Sequence, residues 1–329
     1  MLIFNEQQIQ QHYGMNDALI DVSKVLLAKA QDKIENPIRT VIDVPERNAS
    51  ALYMPSADLV SEISTMKAVT IFPENPAIGK PTTQGVTLVS DAKNGEHLAL
   101  MNASYLTRLR TGALSGLATD HLAKKDATVL TAIGTGGMAF EQVLGVLAVR
   151  PIEKILLVNP TEEKAVKFRE KLRDFGISEE IEIAIERDVS VAVKQAHIIC
   201  CSTRSNDPVF NGEDVQPGTH VNGVGSYLPH MREVDFEFIQ KSNKIVVDDF
   251  HGVTEEAGEL IHANEQPNWS YDDIHGELKD LVSATITGRE NDEEITFFKC
   301  VGAAYFDLAV AQGVYHKAAE ENFGIAVEI

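Results

Sequence analysis

The chain has 329 residues, 44% of them hydrophobic, and a formal net charge of −20 at pH 7. This length is typical of two domains, and the apolar share is large enough for sizeable cores. The strongly negative charge argues against nucleic acid and anionic membrane surfaces as partners. An anionic cofactor or substrate must therefore be held by local donors, because the overall field of the protein repels it.

The cysteine count and the first residues indicate a reduced, cytoplasmic protein. Cys200 and Cys201 are neighbours and Cys300 is the third cysteine, so a disulfide framework is not expected. The opening Met-Leu-Ile-Phe-Asn-Glu lacks the basic segment of a signal peptide, and no apolar run reaches membrane-spanning length. The ten histidines show no metal-ligand spacing, so we predict no metal site.

The first third of the chain predicts a β-rich α+β region. Residues 1 to about 36 show a helical pattern of apolar residues. Extended segments follow, with a hairpin turn at 91–95, and they are predicted at 38–44, 51–54, 64–72, 84–90 and 96–101. A helical pattern then covers 103–123. We expect these elements to form one domain, residues 1–122.

From Ala127 onward, buried strands alternate with helices, which predicts a doubly wound parallel sheet over 123–299. Asp248 and Asp249 follow one predicted strand, where they either face a ligand or cap the next helix. A last helix, 301–319, is expected to return to the first domain within a segment 300–329. The strands are predicted at 129–133, 154–158, 181–185, 198–201, 221–224, 245–247 and 295–298, with helices at 161–175 and 189–196 among them.

A glycine-rich turn joins the first of these strands to its helix. Gly134, Gly136 and Ala139 form a G-x-G-x-x-A pattern that directly follows the β-branched run Val129–Ile133. Strand, glycine turn and helix together are typical of a Rossmann dinucleotide-binding fingerprint, in which the helix N-terminus faces the phosphates. An ordinary βα turn is the alternative. The predicted cofactor contacts in this loop are Gly134, Thr135, Gly136, Gly137 and Met138.

Three isolated cations stand in apolar surroundings: Arg39 in Pro-Ile-Arg-Thr-Val-Ile, Lys67 in Thr-Met-Lys-Ala-Val-Thr, and Arg110 in Leu-Arg-Thr-Gly-Ala. A cation placed among apolar residues requires an anionic partner. That partner is either a bound anionic ligand or another residue in a salt bridge, and a snorkelling surface side chain is a further alternative.

Several motifs resemble those of the ornithine cyclodeaminase/mu-crystallin family. They are Thr107-Arg-Leu-Arg-Thr-Gly-Ala113, Gly134-Thr-Gly-Gly-Met-Ala139, Phe298-Lys-Cys-Val-Gly302, Lys67-Ala-Val-Thr-Ile-Phe-Pro73 and Glu256-Ala-Gly-Glu-Leu260. The resemblance extends over nearly the whole chain in order. It implies an NAD(P)-dependent enzyme that acts on small amino or imino acids. It also implies a homodimer, in which the N- and C-terminal segments form a substrate-binding and dimerisation domain beside the Rossmann domain.

The resemblance also implies roles for individual residues. Arg39 and Arg110 match the family's carboxylate-binding arginines, and a guanidinium fork suits that task because it binds both oxygens. Lys67 matches the catalytic lysine beside the reacting amine or imine. Arg110 and Thr111 are expected near the cofactor, and Cys300 stands near the nicotinamide where the family often has serine.

The chain departs from the family pattern at two places. Tyr227 stands where the resembling cyclodeaminases carry an acid that takes part in deamination and ring closure. Asn159 replaces the acid that usually binds the ribose hydroxyls of NAD, and Pro160 replaces the arginine of NADP-binding members. Thr161 and Lys164 are the candidates to contact a 2′-phosphate. We therefore expect both cofactors to bind, with a lean to NADP.

These features predict an NAD(P)H-dependent oxidoreductase of a small α-imino or amino acid. Reduction of a cyclic ketimine, Δ1-pyrroline-2-carboxylate or Δ1-piperideine-2-carboxylate, is the leading reaction, with alanine dehydrogenase chemistry as a close relative. Ornithine cyclodeamination is the alternative that Tyr227 disfavours. A non-catalytic, NADPH-dependent ligand-binding protein is an alternative of another class, and the retention of Arg39, Lys67 and Arg110 together favours an enzyme.

Overall fold

The structure is a computed structural model that describes residues 1–328, and the chain forms two compact units. Unit 1 consists of Met1–Arg110 together with the segment from Ala303 onward, and unit 2 consists of Thr111–Gly302. The sequence predicted the first boundary at 122/123, whereas the division falls inside the helix Ala103–Leu122, which is continuous across it. The second predicted boundary, at 299/300, lies three residues from the observed one.

The strands, in chain order, are β1 (Leu2–Phe4), β2 (Ile34–Glu35), β3 (Thr40–Val44), β4 (Ala49–Asp58), β5 (Ile63–Ile71), β6 (Thr83–Asp91), β7 (His97–Asn102), β8 (Val129–Ile133), β9 (Lys154–Val158), β10 (Glu182–Ile185), β11 (Ile198–Cys201), β12 (His220–Gly223), β13 (Lys244–Val247), β14 (Gly276–Glu277), β15 (Thr296–Lys299) and β16 (Ile325–Ala326). The helices are α1 (Glu6–His12), α2 (Met15–Ala30), α3 (Ala103–Leu122), α4 (Ala139–Leu147), α5 (Glu162–Asp174), α6 (Val189–Gln195), α7 (Phe236–Lys241), α8 (Phe250–Glu256), α9 (Gly258–Asn264), α10 (Leu278–Val282) and α11 (Ala304–Glu321). None of these helices, within residues 1–328, combines the length and apolar character needed to cross a bilayer.

Unit 1 is built on a mixed sheet in the order β16-β1-β7-β6-β5-β4-β2, with β3 also paired to β4. Strands β4 to β7 form an antiparallel meander, and α11 packs across β4, β5 and β6. The prediction of helix from residue 1 is wrong at the start, because Leu2–Phe4 is a strand. It pairs with β7 and β16, which are remote in sequence, so a local pattern cannot reveal it.

The two faces of this sheet differ in burial, as the period of two along each strand requires. Along β5, Thr65 and Lys67 are buried, while the intervening Met66 is 38% exposed on the opposite face. Lys67 lies directly opposite Met54 of β4 and Thr87 of β6, and both of these residues are buried as well. The lysine therefore belongs to the covered face of the sheet.

Unit 2 confirms the predicted doubly wound fold. Its eight strands are all parallel, in the order β10-β9-β8-β11-β12-β15-β13-β14. Alternate residues of β8, β9 and β11 enter two separate apolar cores, so both faces of this part of the sheet are covered. The chain adds β9 and β10 on one side of β8 and then returns to add β11 and later strands on the other side, so the strand order reverses between β8 and β11. Ligands of such sheets bind at the carboxyl ends of the strands on either side of this point.

Candidate active site

The glycine loop of unit 2 follows β8 at the reversal point. Gly134 has φ of +88°, and a Cβ there would lie 2.9 Å from Thr203 Cγ2 and 3.0 Å from the Ser202 carbonyl oxygen. Both the backbone conformation and the close approach therefore require glycine. Gly136 and Gly137 are exposed, and a Cβ at either would meet no atom within 4 Å. The loop thus leaves open space through which a ligand can approach its backbone.

Two buried hydroxyls lie beside this loop without a hydrogen-bond partner among residues 1–328. They are Thr135 Oγ1, after β8, and Ser202 Oγ, after β11. A buried hydroxyl without a partner is costly, so the pair indicates a polar ligand at the reversal point. Helix α4 begins directly after the loop, and Met138 precedes it without making a side-chain cap. The residues present therefore fit the pyrophosphate and ribose of a nicotinamide dinucleotide.

Asn159 links the glycine loop to the start of α5. Its Oδ1 accepts from the Thr135 amide at 3.4 Å, and its Nδ2 donates to the Thr161 carbonyl at 2.9 Å. Thr161 occupies the N-cap position of α5, but its side chain makes no capping bond. Lys164 is exposed on the first turn. Asn159, Thr161 and Lys164 are thus close in the chain at the carboxyl end of β9, where the sequence predicted contacts with the adenosine ribose.

One charged residue at this edge was missed by the sequence analysis. Arg187 follows β10, the neighbour of β9, and its guanidinium makes two hydrogen bonds to Glu162, at 2.9 and 3.0 Å. Glu162 is the first residue of α5. The pair therefore places an arginine and a carboxylate near the position where Pro160 replaces the family's arginine. No local motif marks Arg187, because strand pairing alone brings it to this edge.

The two aspartates after β13 have structural partners. Asp249 caps α8, accepting from the Gly252 amide at 3.0 Å, so the capping alternative describes this residue. Asp248 accepts from the amides of Val301 and Gly302 at 3.1 and 2.7 Å and from the Cys300 thiol. Burial raises the pKa of Asp248. Cys300, predicted near the nicotinamide, is 2% exposed, and this contact fixes the segment that contains it.

A fully buried ion cluster lies at the carboxyl ends of β12 and β15. Lys299 Nζ donates to the Ser226 carbonyl and hydroxyl, both at 2.6 Å, and to Glu259 Oε1 at 3.1 Å. The Ser226 hydroxyl in turn donates to Glu259 at 2.8 Å. These three residues come from two of the motifs that carry the family resemblance and from the segment Val224–Pro229. The cluster holds Ser226 by its backbone and by its side chain.

Glu233 fixes the same loop from its other side. One carboxylate oxygen accepts from the Thr203 amide and hydroxyl, at 2.5 and 2.8 Å, and the other accepts from the Gly225 amide at 2.7 Å. Burial raises the pKa of Glu233. Tyr227, the next residue after the anchored Ser226, is half-buried. The position that distinguishes this chain from cyclodeaminases therefore follows a loop held by buried ions.

In unit 1, Lys67 and Arg110 converge on a residue that the sequence analysis did not single out. Lys67 Nζ donates to Asp307 Oδ2 at 2.5 Å, and Arg110 Nε donates to Asp307 Oδ1 at 3.4 Å. The three residues are 4, 6 and 3% exposed. Asp307 is the lone acid in the apolar run Ala-Tyr-Phe-Asp-Leu-Ala of α11, and this pattern was the available signal.

Arg39 belongs to the same neighbourhood. It precedes β3, in which Thr40 pairs with Tyr53, so extending the pairing by one residue places Arg39 opposite Met54. Met54 pairs in turn with Lys67, and residues directly opposite each other share a face of the sheet. Arg39 is half-buried and close enough to Lys67 to lower the pKa of the lysine. Thr111, at the start of unit 2, is 3% exposed on α3.

The charges around Lys67 set its protonation. Burial lowers the pKa of Lys67 from 10.5 to about 8; Asp307 opposes this shift, and Arg110 and Arg39 add to it. Burial alone would raise the pKa of Asp307, but Lys67 and Arg110 outweigh burial and the pKa is lowered. Asp307 is therefore ionised at neutral pH, and Lys67 can gain or lose a proton near neutrality. A lysine with such a pKa suits general acid-base chemistry.

Comparison with known proteins agrees with the fold. The model of the ornithine cyclodeaminase/mu-crystallin family matches residues 2–322. A Δ1-pyrroline-2-carboxylate reductase of Bacillus cereus is 39% identical over 100% of both chains. The structure of Thermococcus litoralis Δ1-pyrroline-2-carboxylate reductase in complex with NADH and L-proline is 36% identical, with a TM-score of 0.94 over 99% of this chain and 100% of that one.

An archaeal alanine dehydrogenase dimer with bound NAD is also similar, at 30% identity and a TM-score of 0.91 over 100% of this chain and 99% of that one. The chain belongs to the ornithine cyclodeaminase/mu-crystallin family, as its motifs indicated. The prediction of an NAD(P)-dependent oxidoreductase is confirmed at that level. The substrate and the preference between NAD and NADP depend on the particular residues of this chain.

Proposed function

We propose that this protein reduces a cyclic α-imino acid, Δ1-pyrroline-2-carboxylate or Δ1-piperideine-2-carboxylate, to the corresponding cyclic amino acid with NAD(P)H. The observation that carries the proposal is the buried environment of Lys67, which combines an acid-base lysine with Arg110, Arg39 and the fixed anion Asp307. The relative from T. litoralis, whose structure contains NADH and L-proline, supports the five-membered ring. A cyclic imine already contains the nitrogen of the product, so its reduction requires no separate binding site for ammonia.

The residues divide the chemistry among them. A bound reduced nicotinamide supplies the hydride that adds to the imine carbon. Arg110 and Arg39 bind the substrate carboxylate, which fixes the orientation of the planar imine. Lys67 donates a hydrogen bond and a proton to the imine nitrogen, which gains the electron pair of the C=N bond. The balance is one hydride and one proton consumed for each amino acid formed.

We propose that unit 2 binds the dinucleotide, through the loop at Gly134–Met138 and the edge around Asn159, Thr161 and Lys164. Both cofactors are expected to bind, with the lean to NADP resting on two features. No acid stands at Asn159 to repel a 2′-phosphate, and Arg187 offers a guanidinium at the neighbouring strand end. Relatives with bound NADH or NAD support dinucleotide binding without deciding between the two.

We propose that unit 1 binds the substrate and forms a homodimer. The sheet face opposite to Lys67 exposes Ile42, Tyr53, Met66 and Val86, which lie on the same side of β3 to β6. Such an apolar patch is typical of a protein interface. The similar alanine dehydrogenase is a dimer. Light scattering at micromolar concentration tests this, and a monomer mass contradicts it.

The test of the reaction is a substrate panel. Δ1-pyrroline-2-carboxylate, Δ1-piperideine-2-carboxylate, pyruvate with ammonia, and ornithine are each assayed with both cofactors in the appropriate redox state. We expect turnover of at least one cyclic imine, and loss of that turnover in Lys67→Met with cofactor binding retained. Turnover of pyruvate with ammonia alone supports alanine dehydrogenase, the second candidate, which the archaeal relative favours. Cofactor binding without any turnover contradicts an enzymatic function.

A further inference from the structure

Asp307 occupies an unusual place for an acid. It lies on α11 between Phe306 and Leu308, both fully buried, and it is itself 3% exposed. Its two carboxylate oxygens divide their contacts, since Oδ2 accepts from Lys67 at 2.5 Å and Oδ1 accepts from Arg110 at 3.4 Å and from the Thr107 hydroxyl at 3.5 Å. Because α11 packs across β4, β5 and β6, the carboxylate is part of a rigid element above the strand of Lys67.

We propose that Asp307 is a positioning residue of the imine reduction: it fixes the Lys67 ammonium and the Arg110 guanidinium relative to each other and keeps the lysine charged. The inference rests on the proposed function, because it assigns Lys67 to the imine nitrogen and Arg110 to the carboxylate. Asp307 itself touches neither substrate nor cofactor in this scheme. Its effect is exerted entirely through the two cations.

Both geometry and electrostatics support this role of Asp307. A lysine side chain has four rotatable bonds, so without an anchor its ammonium samples many positions, whereas a 2.5 Å ion pair selects one. The charged groups that face Lys67 are Asp307 on α11, Arg110 on α3 and Arg39 beside β3. Of these three, Asp307 alone favours the protonated lysine, while burial and both arginines disfavour it.

The test uses two substitutions that separate charge from position. Asp307→Asn keeps the shape and removes the charge, so Lys67 should lose its proton at lower pH. We expect the alkaline limb of kcat/KM for imine reduction to move by about one pH unit or more toward acid. The loss of activity should therefore be about fivefold or more at pH 8 and much smaller at pH 6. Asp307→Glu keeps the charge but displaces it, so the limb should stay in place while kcat falls at all pH values.

A matched control lies on the same helix. Gln312 is 7% exposed and bonds to the Ser61 hydroxyl at 2.8 Å, apart from the cations. Gln312→Met perturbs the packing of α11 and should leave the pH limb at its original position. Circular dichroism and NADH titration check that each variant is folded. A limb that does not move in Asp307→Asn, or that moves equally in Gln312→Met, overturns the proposal.

A second measurement does not depend on turnover. Lysine ε-carbon chemical shifts, followed by NMR against pH with Lys67→Arg to assign the signal, report the protonation of Lys67 directly. A Lys67 titration that moves to lower pH in Asp307→Asn supports the proposal even if the imine panel is negative, in which case the proposed function alone fails. An unchanged titration overturns the role of Asp307 even if the enzyme reduces imines.

Discussion

The pH dependence of imine reduction follows from the environment of Lys67. Reduction requires the protonated lysine, which donates to the imine nitrogen, whereas oxidation of the amino acid requires the neutral lysine, which accepts that proton. With a pKa of about 8, the rate of reduction should be constant below pH 7 and should fall as pH rises through 8. The rate of oxidation should rise through the same interval.

The size of the effect can be worked out from that pKa. Relative to the ordinary value of 10.5, a pKa of about 8 corresponds to about 3 kcal/mol against the charged form. The protonated fraction is then roughly 0.9 at pH 7 and roughly 0.03 at pH 9.5, so kcat/KM for reduction should fall about 30-fold. The folded protein should also gain stability between about pH 8 and 10.5, because the unfolded chain holds the extra proton there.

The forward assay measures the consumption of NAD(P)H with a cyclic imine as a function of pH. The reverse assay measures the formation of NAD(P)H from the cyclic amino acid and the oxidised cofactor. The substrate imine titrates too, so the control is Lys67→Arg, whose guanidinium stays charged throughout the range. We expect this variant to be slower but to lack the limb near pH 8. A limb that persists unchanged in Lys67→Arg would belong to the substrate and would refute the reasoning.

Three further predictions concern the carboxylate, the ring closure and the cofactor. Arg110→Lys keeps the charge but loses the planar fork, so the variant should lose about 1.5–3 kcal/mol of transition-state stabilisation, measured as a lower kcat/KM. Wild-type kinetics in a folded variant contradict the assignment of Arg110 to the substrate carboxylate. Since Tyr227 stands where the resembling cyclodeaminases carry an acid, ornithine with NAD⁺ should release little or no ammonia, and robust proline formation contradicts this prediction. Glu162→Gln removes the carboxylate that pairs with Arg187, so the preference for NADPH, measured as the ratio of the NADH and NADPH dissociation constants by fluorescence titration, should rise about threefold. The control Glu163→Gln makes the same charge change and should leave this ratio unchanged.

Local patterns predicted the parts of this protein that neighbouring residues determine. The glycine loop was predictable because strand, turn and helix are contiguous in the sequence. The positive φ of Gly134 also favours glycine over other residues at that position. Lys67 and Arg110 were recognisable as cations in apolar surroundings. Which face of β5 is buried was not predicted, and the structure shows that Thr65 and Lys67 lie on it.

The residues that escaped prediction depend on contacts between distant parts of the chain. Asp307 meets Lys67 across 240 residues, and a single acid in an apolar helix does not reveal which cation it faces. Arg187 reaches the end of β9 only because β10 pairs with that strand. The strand Leu2–Phe4 was missed for the same reason, since its partners are β7 and β16.

The origin of Asp307 near the end of the chain has a consequence for biosynthesis. Unit 2 is one continuous segment, Thr111–Gly302, and can fold as soon as that segment has left the ribosome. Unit 1 begins first but needs α11 to cover its sheet, and the cation of Lys67 has no Asp307 until then. The part of the protein made earliest is therefore completed last. During that delay the sheet face with Lys67 lacks its covering helix, and transiently exposed surface of this kind is prone to aggregation.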